Sequence, residues 1–291
     1  MGETVRVGNA GGRSVLLMDS IAYVEESDAG QIVIAGSHGG RSSGRYAIEH
    51  ALAACFLNDA GIGKDDAGIA ALAMFDDLGR AGATYDSRTA RIGDARDAWQ
   101  HGVISHVNRQ ASQLGLVAGE RVADAVQRVF GSAPGKPAAP GMPEMPEACD
   151  RKIRIGLPLG HTVILMDSTG YADASDAGHI VVAGSHGGLA GKYGGEVVLA
   201  GIFLNDAGGG KDRAGVASFA AFDRIGVPAA AYSHLSARIG DVQDAWDHGI
   251  LSVVNQTAAA LGFVVGEPLK PAIHRVFGHK SPQRRNRHDS E

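Results

Sequence analysis

The strongest constraint on this chain is that one stretch of sequence occurs in it twice. The matching segments are VLLMDS (15–20) with VILMDS (163–168), DAGQIVIAGSHGG (28–40) with DAGHIVVAGSHGG (176–188), FLNDAGIGKD (56–65) with FLNDAGGGKD (203–212), and ARIGDARDAWQHGVISHVN (90–108) with ARIGDVQDAWDHGILSVVN (237–255). A period this long predicts a duplicated domain, because solenoid repeats run to about 20–50 residues.

The duplication divides the 291 residues into two modules. We name residues 1–131 copy 1 and residues 151–278 copy 2; a Pro- and Ala-rich linker (132–150) joins them, and a polar tail (279–291) follows. Each module is long enough to bury its own core. Two copies of one fold usually pack about a pseudo-two-fold axis, as a homodimer does, so we expect a pseudo-dimer within the chain that could also form a homo-oligomer.

Composition and charge exclude several classes of protein. A net charge of −5 gives no electrostatic footprint for nucleic acid or an anionic membrane, and we interpret Arg284, Arg285 and Arg287 as part of a frayed terminus. The two cysteines, Cys55 and Cys149, predict neither a disulfide framework nor a zinc site. The sequence has no signal-peptide pattern and no apolar run of about 20 residues, so we expect a cytoplasmic protein.

Hydrophobic periodicity predicts alternating strands and helices in each copy. In copy 1 the predicted elements are strands at Val15–Met18 and Gln31–Ala35, a helix from Tyr46 to Leu57, a strand at Gly68–Leu72, a short helix at Ala73–Leu78, a strand at Ala83–Tyr85, and a long helix from Asp94 to Leu114. This alternation predicts an α/β fold whose sheet is mainly parallel or mixed and is flanked by helices. Ligands of such sheets collect at the carboxyl ends of the strands.

A small-residue motif, SHGG, follows the second predicted strand in both copies. Its residues are Ser37, His38, Gly39 and Gly40 in copy 1, and Ser185, His186, Gly187 and Gly188 in copy 2. Glycines permit close backbone approach, and free loop N–H groups bind an oxyanion. The serine is a candidate nucleophile, and the histidine could polarise a carbonyl or bind a metal ion. The alternative is a tight turn with a capping serine.

The motif NDAG-x-GKD is the second candidate. It contributes Asn58, Asp59 and Lys64 in copy 1, and Asn205, Asp206 and Lys211 in copy 2. Asparagine, aspartate and glycine are typical of a helix end and turn. The lysine, if held near the motif serine in a dry site, could lose its proton and act as the base of a Ser–Lys pair. Both interpretations remain open from the sequence.

A polar stripe on the predicted long helix is the third candidate. Its residues are Asp97, His101, Ser105 and Asn108, repeated as Asp244, His248, Ser252 and Asn255. Their helical spacing would place them on one face, and an Asp–His pair one turn apart suits an oriented base or a pair of metal ligands. The alternative is a hydrogen-bonded seam between the copies. Asp94 itself is predicted to be an N-cap.

Other residues are either repeated in both copies or differ between them. Arg91 and Arg238 could clamp a carboxylate or phosphate, or could tie down their own loops by pairing with Asp94 and Asp241. The pairs Tyr46–Glu49 and Tyr193–Glu196 are also repeated. The divergent positions are Gln31 against His179, Ser87 against His234, and Arg41 against Leu189. Two sites, if present, need not be equally active, and a single composite site could lie across the pseudo-two-fold axis.

Some of these residues resemble a known family. The run Gly178-His179-Ile180, then Ala214-Gly215-Val216, then Ala259-Ala260-Leu261-Gly262 with Gly266, is similar to the small bacterial YunC-like domain. That resemblance implies an α/β sandwich and carries no defined activity. A looser analogy is with the cyanuric acid hydrolase and barbiturase group, which is built from repeats bearing Ser–Lys pairs and opens cyclic amides; its motifs do not match this sequence residue by residue.

These features together favour an enzyme that acts on a small polar compound with a carbonyl or carboxylate group. The preferred reaction is hydrolysis of a cyclic amide, imide or lactone, with Ser37 or Ser185 as nucleophile, the motif lysines or histidines as base, and loop N–H groups holding the oxyanion. The alternatives are a metal-dependent lyase or isomerase that uses the His and Asp pairs, and a non-catalytic ligand-sensing or assembly module. The sequence identifies no cofactor and no metal.

Overall fold

The computed structural model describes residues 4–131, 151–189 and 197–278. The predicted linker, the polar tail with its arginines, Cys149, and the pair Tyr193–Glu196 lie outside the described residues. In the described ranges, no helix combines the length and the apolar composition needed to cross a membrane.

Each copy is built from six strands and a set of short helices. Copy 1 contains β1 (Thr4–Ala10), β2 (Arg13–Met18), β3 (Ile32–His38), α1 (Arg41–Glu49), β4 (Ala54–Asn58), α2 (Ala71–Asp77), β5 (Ala81–Tyr85), α3 (Ala95–His101), β6 (Ile104–Val107), α4 (Arg109–Gln113) and α5 (Val122–Phe130). Copy 2 contains β7 (Lys152–Gly156), β8 (Thr162–Met166), β9 (Ile180–His186), β10 (Gly201–Asn205), α6 (Phe219–Arg224), β11 (Ala229–Tyr232), α7 (Val242–His248), β12 (Leu251–Val254), α8 (Gln256–Ala260) and α9 (Leu269–Phe277). Short 3-10 helices follow β2 (Ile21–Tyr23), β4 (Lys64–Ile69), β8 (Thr169–Tyr171) and β10 (Lys211–Val216).

The two sheets have the same topology, and the predicted α/β class with a mixed sheet is confirmed. The strands lie side by side in chain order, β1 to β6 in one sheet and β7 to β12 in the other. In copy 1 the four central strands are parallel, whereas β1 and β6 pair antiparallel at the two edges. Parallel strands end at the same edge of a sheet, so the residues after β2, β3, β4 and β5 lie along one edge.

The period-2 pattern of the central strands divides their side chains between two cores. In β2, Val15 and Leu17 pack into the core that α3 and α5 cover. Leu16 and Met18 face the opposite core, which α1 and α2 cover. A strand that is buried on both faces has a continuous apolar sequence, and for this reason β2 and β3 could be predicted from the sequence.

Three predicted elements of copy 1 are wrong. The predicted helix from Tyr46 to Leu57 ends at Glu49, and its second half is strand β4 (Ala54–Asn58). The run Ala54-Cys55-Phe56-Leu57 is buried on both faces of the sheet, and a short apolar run of this kind fits a buried strand as well as a helix. The predicted strand at Gly68–Leu72 is instead the end of a 3-10 helix and the start of α2.

The predicted long helix from Asp94 to Leu114 is also wrong, because it is interrupted by a strand. Asp94 is the predicted N-cap and accepts the backbone N–H of Asp97, but α3 ends at His101. Gly102 then turns the chain into β6, and Asn108 caps the separate helix α4. Ile104 and Val107 are three residues apart, which fits a helix, and the irregular pairing with β5 is what makes the segment a strand.

The copies contact each other through reciprocal loops. The backbone N–H of Lys64 donates to the carbonyl of His234, and that of Lys211 donates to the carbonyl of Ser87, each over 2.8 Å. A separate small core joins three apolar residues of each copy: Ala60, Ala67, Ile92, Ala207, Ala214 and Ile239. Each contact is matched by its counterpart with the copies exchanged, as a pseudo-two-fold axis requires.

Candidate functional site

A small recess lies where the two copies meet at the carboxyl ends of their parallel strands. Its volume is about 40 Å³, and residues of both copies line it. The lining residues are Asp19, Ser20, Ile21, Ala22, Ser37, His38, Ser43 and Tyr46 from copy 1, and Ser168, Thr169, Gly170, Ser185 and His186 from copy 2. The Ser and His of both SHGG motifs therefore belong to one composite site.

The two motif histidines face each other across the pseudo-two-fold axis. Their ring centroids are 6.5 Å apart and the rings are nearly perpendicular. The backbone N–H of Gly40 donates to Nδ1 of His38 over 3.1 Å, and that of Gly188 donates to Nδ1 of His186 over 3.0 Å. Because Nδ1 accepts in both rings, the proton of each neutral imidazole is on Nε2, which is therefore a donor.

Burial keeps both imidazoles neutral. Desolvation lowers the pKa of His38 to about 3, with a smaller contribution from the neighbouring His186. Desolvation also lowers the pKa of His186 to about 4. At neutral pH the recess therefore contains two uncharged N–H donors whose orientation the glycine N–H groups fix.

The motif serines supply two hydroxyl groups to the same recess. Oγ of Ser37 accepts the backbone N–H of Ile21 over 2.9 Å, and Oγ of Ser185 accepts the backbone N–H of Thr169 over 2.9 Å. The hydroxyl of Thr169 also donates to Ser185 over 3.2 Å. A serine oxygen that accepts a backbone N–H still has its own proton to donate, and the N–H would stabilise negative charge on that oxygen.

The expectation that glycine N–H groups of the motif hold an oxyanion is wrong, because those groups have partners within the protein. The N–H of Gly39 donates to the carbonyl of Asn58, and that of Gly187 donates to the carbonyl of Asn205. The N–H groups of Gly40 and Gly188 go to the histidine rings. The donors that this site can offer a ligand are side chains.

The motif lysines bind carboxylates of the opposite copy, so the structure does not bring a Ser–Lys pair together. Nζ of Lys64 lies 2.7 Å from Oδ1 of Asp244, and Nζ of Lys211 lies 2.8 Å from Oδ1 of Asp97. Burial raises the pKa of each of these aspartates, but hydrogen bonds, from lysine above all, outweigh it and leave the pKa below its usual value. Nζ of each lysine is therefore directed to a carboxylate of the opposite copy rather than to a motif serine.

The Asp–His pairs form as predicted, but the polar stripe does not. Nδ1 of His101 lies 2.9 Å from Asp97, and Nδ1 of His248 lies 2.9 Å from Asp244. Ser105 and Asn108 lie beyond the end of α3, and so do their counterparts Ser252 and Asn255 beyond α7. The described ranges contain no group of three His, Cys, Asp or Glu side chains that could hold a metal ion.

The arginines of the ARIGD segments combine loop anchoring with contact between copies. Arg91 pairs with Asp94 of its own loop at 3.0 Å and with Asp212 of copy 2 at 2.9 Å. Arg238 pairs with Asp241 at 3.2 Å and with Asp65 of copy 1 at 2.8 Å. The predicted pairing within the loop is present in both copies, and neither arginine lines the recess.

The Asn and Asp of NDAG shape the loops after β4 and β10. Oδ1 of Asn58 accepts the N–H of Ala60, and its amide donates to the carbonyl of Ala90. Asn205 makes the equivalent bonds with Ala207 and Ala237. Oδ1 of Asp59 accepts the N–H groups of Gly61 and Ser87, and Oδ1 of Asp206 accepts those of Gly208 and His234. These four side chains are therefore occupied by the backbone.

Sequence reasoning missed the residues that follow β2 and β8. Asp19, Ser20 and Ser168 all line the recess, as does Tyr46 from α1. A signal was present: the pair Asp-Ser directly follows an apolar strand in both copies, next to the strand that carries SHGG. Since neighbouring parallel strands end at one edge, that pair belongs with the motif.

Comparison with protein-family models, with curated proteins and with solved structures gives no match. The resemblance to the YunC-like domain and the analogy with cyclic amide hydrolases therefore stay predictions.

Proposed function

We propose that the protein is an enzyme that acts on a small polar compound with a carbonyl or carboxylate group, and that the composite recess binds the oxygen of that group. One observation carries the proposal: two neutral histidines whose proton is on Nε2, one from each copy, line a single recess together with two serines. A structural turn requires a capping serine, but it does not require two neutral imidazoles held in one tautomer.

The chemistry that follows is stabilisation of negative charge on oxygen. A neutral imidazole whose N–H is oriented in advance polarises a carbonyl without giving up its proton. In a buried site such donors act in a low dielectric and need no reorganisation during the reaction. His38 and His186 are the residues to which we assign this role.

Hydrolysis of a cyclic amide, imide or lactone remains the preferred reaction. Attack on the polarised carbonyl comes from a serine hydroxyl or from water; the ring C–N or C–O bond then breaks, and the proton of the attacking O–H ends on the nitrogen or oxygen that leaves. In the serine route water afterwards hydrolyses the acyl ester, and the backbone N–H bond to Oγ of Ser37 and of Ser185 favours that route. The Ser–Lys mechanism is not part of this proposal, because both lysines are paired with carboxylates of the opposite copy.

The test is turnover of a panel of cyclic imides, cyclic amides and lactones by the intact protein. Removing one oxyanion donor costs roughly 10²–10³ in kcat, so we expect a loss of that size for His38→Gln and for His186→Gln. Ser37→Ala and Ser185→Ala distinguish the two nucleophiles. Turnover should be abolished by loss of a serine that attacks the carbonyl, and it should persist if water attacks. His101→Gln is the matched control, because His101 is exposed and lies outside the recess.

A non-catalytic ligand-sensing or assembly module is the second candidate, and the salt bridges between copies favour it. Lys64, Lys211, Arg91 and Arg238 all bridge the two copies, so much of the repeated sequence serves assembly. This candidate predicts that a ligand binds at the two histidines and raises the Tm of the protein. The ligand itself should be released chemically unchanged. Binding without turnover of any member of the panel would favour it over the enzyme.

A further inference from the structure

The recess contains hydrogen-bond donors without a cation. In the described part of the chain, no lysine or arginine lines it, and its only carboxylate is Asp19. Both histidines are neutral at pH 7, because burial lowers the pKa of each. An anion moved from water into such a space would lose its hydration and meet a like charge with no cation to compensate. The lining therefore suits an uncharged ligand.

Asp19 has one carboxylate oxygen available. Its Oδ1 accepts the backbone N–H of Ala95 over 3.0 Å, and Oδ2 contacts no donor among the described residues. The counterpart in copy 2, Asp167, is fully buried: Oδ1 accepts the N–H of Val242, and Oδ2 accepts both the backbone N–H and the guanidinium of Arg151. Asp167 of copy 2 therefore has no free carboxylate oxygen to accept a hydrogen bond from a ligand, whereas Asp19 of copy 1 has Oδ2.

We infer that the recess selects an uncharged compound in which a carbonyl stands beside an N–H group, the oxygen binding between His38 and His186 and the N–H donating to Asp19. This inference rests on the proposed function and narrows its substrate class. Cyclic imides and cyclic amides carry both groups. Lactones lack the N–H donor, and free carboxylates carry a charge that the recess does not compensate.

The size of the recess agrees with recognition of one functional group. About 10–15 Å³ of cavity volume is enough to hold one water molecule, so a recess of about 40 Å³ accommodates one functional group rather than a whole ring. Asp19 also lines a neighbouring open cleft of about 620 Å³. Asp19 is thus common to the recess and to this cleft, which Arg91 and Arg96 also line.

The experiment compares three probes by calorimetric titration of the full chain. Succinimide carries the carbonyl and the N–H, N-methylsuccinimide lacks the N–H, and succinate carries charge. A hydrogen bond to a carboxylate corresponds to roughly tenfold or more in affinity, so we expect succinimide to bind at least about tenfold more tightly than N-methylsuccinimide. Succinate should give no binding at the same concentrations.

Variants at position 19 test the role of the carboxylate. In Asp19→Asn the amide oxygen can still accept the N–H of Ala95, while an NH₂ group replaces the second oxygen. Succinimide should then bind about tenfold more weakly, and N-methylsuccinimide should be unaffected. Asp66→Asn, at an exposed carboxylate outside the recess, is the matched control and should change neither affinity.

The outcomes separate this inference from the proposed function. If succinate binds as well as succinimide and His38→Gln weakens both, the choice of an uncharged ligand is wrong while the histidine site stands. If Asp19→Asn leaves the affinity for succinimide unchanged, the N–H contact is wrong. If neither imide binds, or if binding is indifferent to His38→Gln and His186→Gln, both the inference and the proposed histidine site are wrong.

Discussion

The two copies share their sheet topology and the contacts that join them, but they contribute different residues to the recess. The lysine–aspartate bridges are equivalent in the two directions, at 2.7 and 2.8 Å. In the recess, by contrast, copy 1 supplies a carboxylate from Asp19, and its Ile21 and Ala22 stand where copy 2 has Thr169 and Gly170. Asp167, the counterpart of Asp19, is paired with Arg151 and is absent from the lining.

This difference indicates how a duplicated chain can acquire one asymmetric site. Contacts between the copies must be reciprocal, because each loop packs against the counterpart of itself. The recess lies between the copies, so both contribute to one site and a change in either alters it. Duplication therefore gives a shared site whose two sides can diverge, and four experiments test that view.

The largest effect is expected from the lysines that bridge the copies. Lys64→Met and Lys211→Met each remove the nearest cation from a buried aspartate, beside which an arginine at 3.4 or 3.6 Å remains. Breaking a buried ion pair outright costs about 3–5 kcal/mol. Both lysines are about a quarter exposed, so we expect about 2 kcal/mol for each and about 4 kcal/mol for the double variant. Urea unfolding measures these values.

The control for the lysine variants is Arg88→Met. Arg88 forms an exposed pair with Asp86, and its loss should leave the free energy of unfolding nearly unchanged. A difference of more than about 1 kcal/mol between the two single lysine variants would contradict the equivalence of the two bridges.

The next effect is acid destabilisation through the motif histidines. Each imidazole has a lowered pKa in the folded protein and an ordinary pKa near 6.5 when unfolded, so below pH 6.5 the unfolded chain binds more protons. The free energy of unfolding should therefore fall with pH, by ~1.4 kcal/mol per pH unit for each histidine, until the folded pKa is reached.

Measuring the free energy of unfolding from pH 7 to pH 4 compares the two histidines. His38→Gln and His186→Gln should each remove one histidine's share of the slope over this range, because both folded pKa values lie at or below its lower end. His101→Gln should keep the full slope. An unchanged profile in both motif variants would mean that the imidazoles are not held neutral by burial.

A smaller effect is expected at Gly240, where copy 2 supports the histidine of copy 1. A Cβ at this position would lie 2.8 Å from Oγ of Ser42 and 3.2 Å from Cε1 of His38. Gly240→Ala should cost about 2–3 kcal/mol and weaken ligand binding, since the φ of +79° adds strain of about 1–2 kcal/mol to the contact. Gly79→Ala has similar strain at φ +63° without a neighbour and isolates the backbone contribution. An equal loss of unfolding free energy in the two variants would show that the contact with His38 does not contribute to stability.

The smallest effect is expected where the copies differ at Ser87 and His234. Nδ1 of His234 lies 2.8 Å from Asp206, and the backbone N–H groups of both residues already donate to the preceding loop aspartate. His234→Ser therefore removes one side-chain hydrogen bond and should cost about 1 kcal/mol by thermal or urea unfolding. Because His234 does not line the recess, ligand affinity should be unchanged. A marked loss of affinity would mean that the site extends to this side of the contact between the copies.

The sequence predicted the duplication, strands β2, β3 and β5, and the grouping of Ser37 and His38 at a strand end. It misassigned β4 and the segment from Asp94 to Leu114, because short apolar runs satisfy helical and strand periods equally. It also left Lys64 with two interpretations, and its partner Asp244 lies 180 residues away in the chain. No local pattern carries that pairing.

What the sequence by itself determined is therefore local and repetitive: which residues alternate between two cores, where Asp94 caps a helix, and that two equal modules exist. The tertiary structure alone decided which cation neutralises which carboxylate, that Asp19 and Asp167 differ in their partners, and that each histidine carries its proton on Nε2. Those properties depend on contacts between segments distant in the chain, and on the burial that those contacts produce. The single composite recess follows from them.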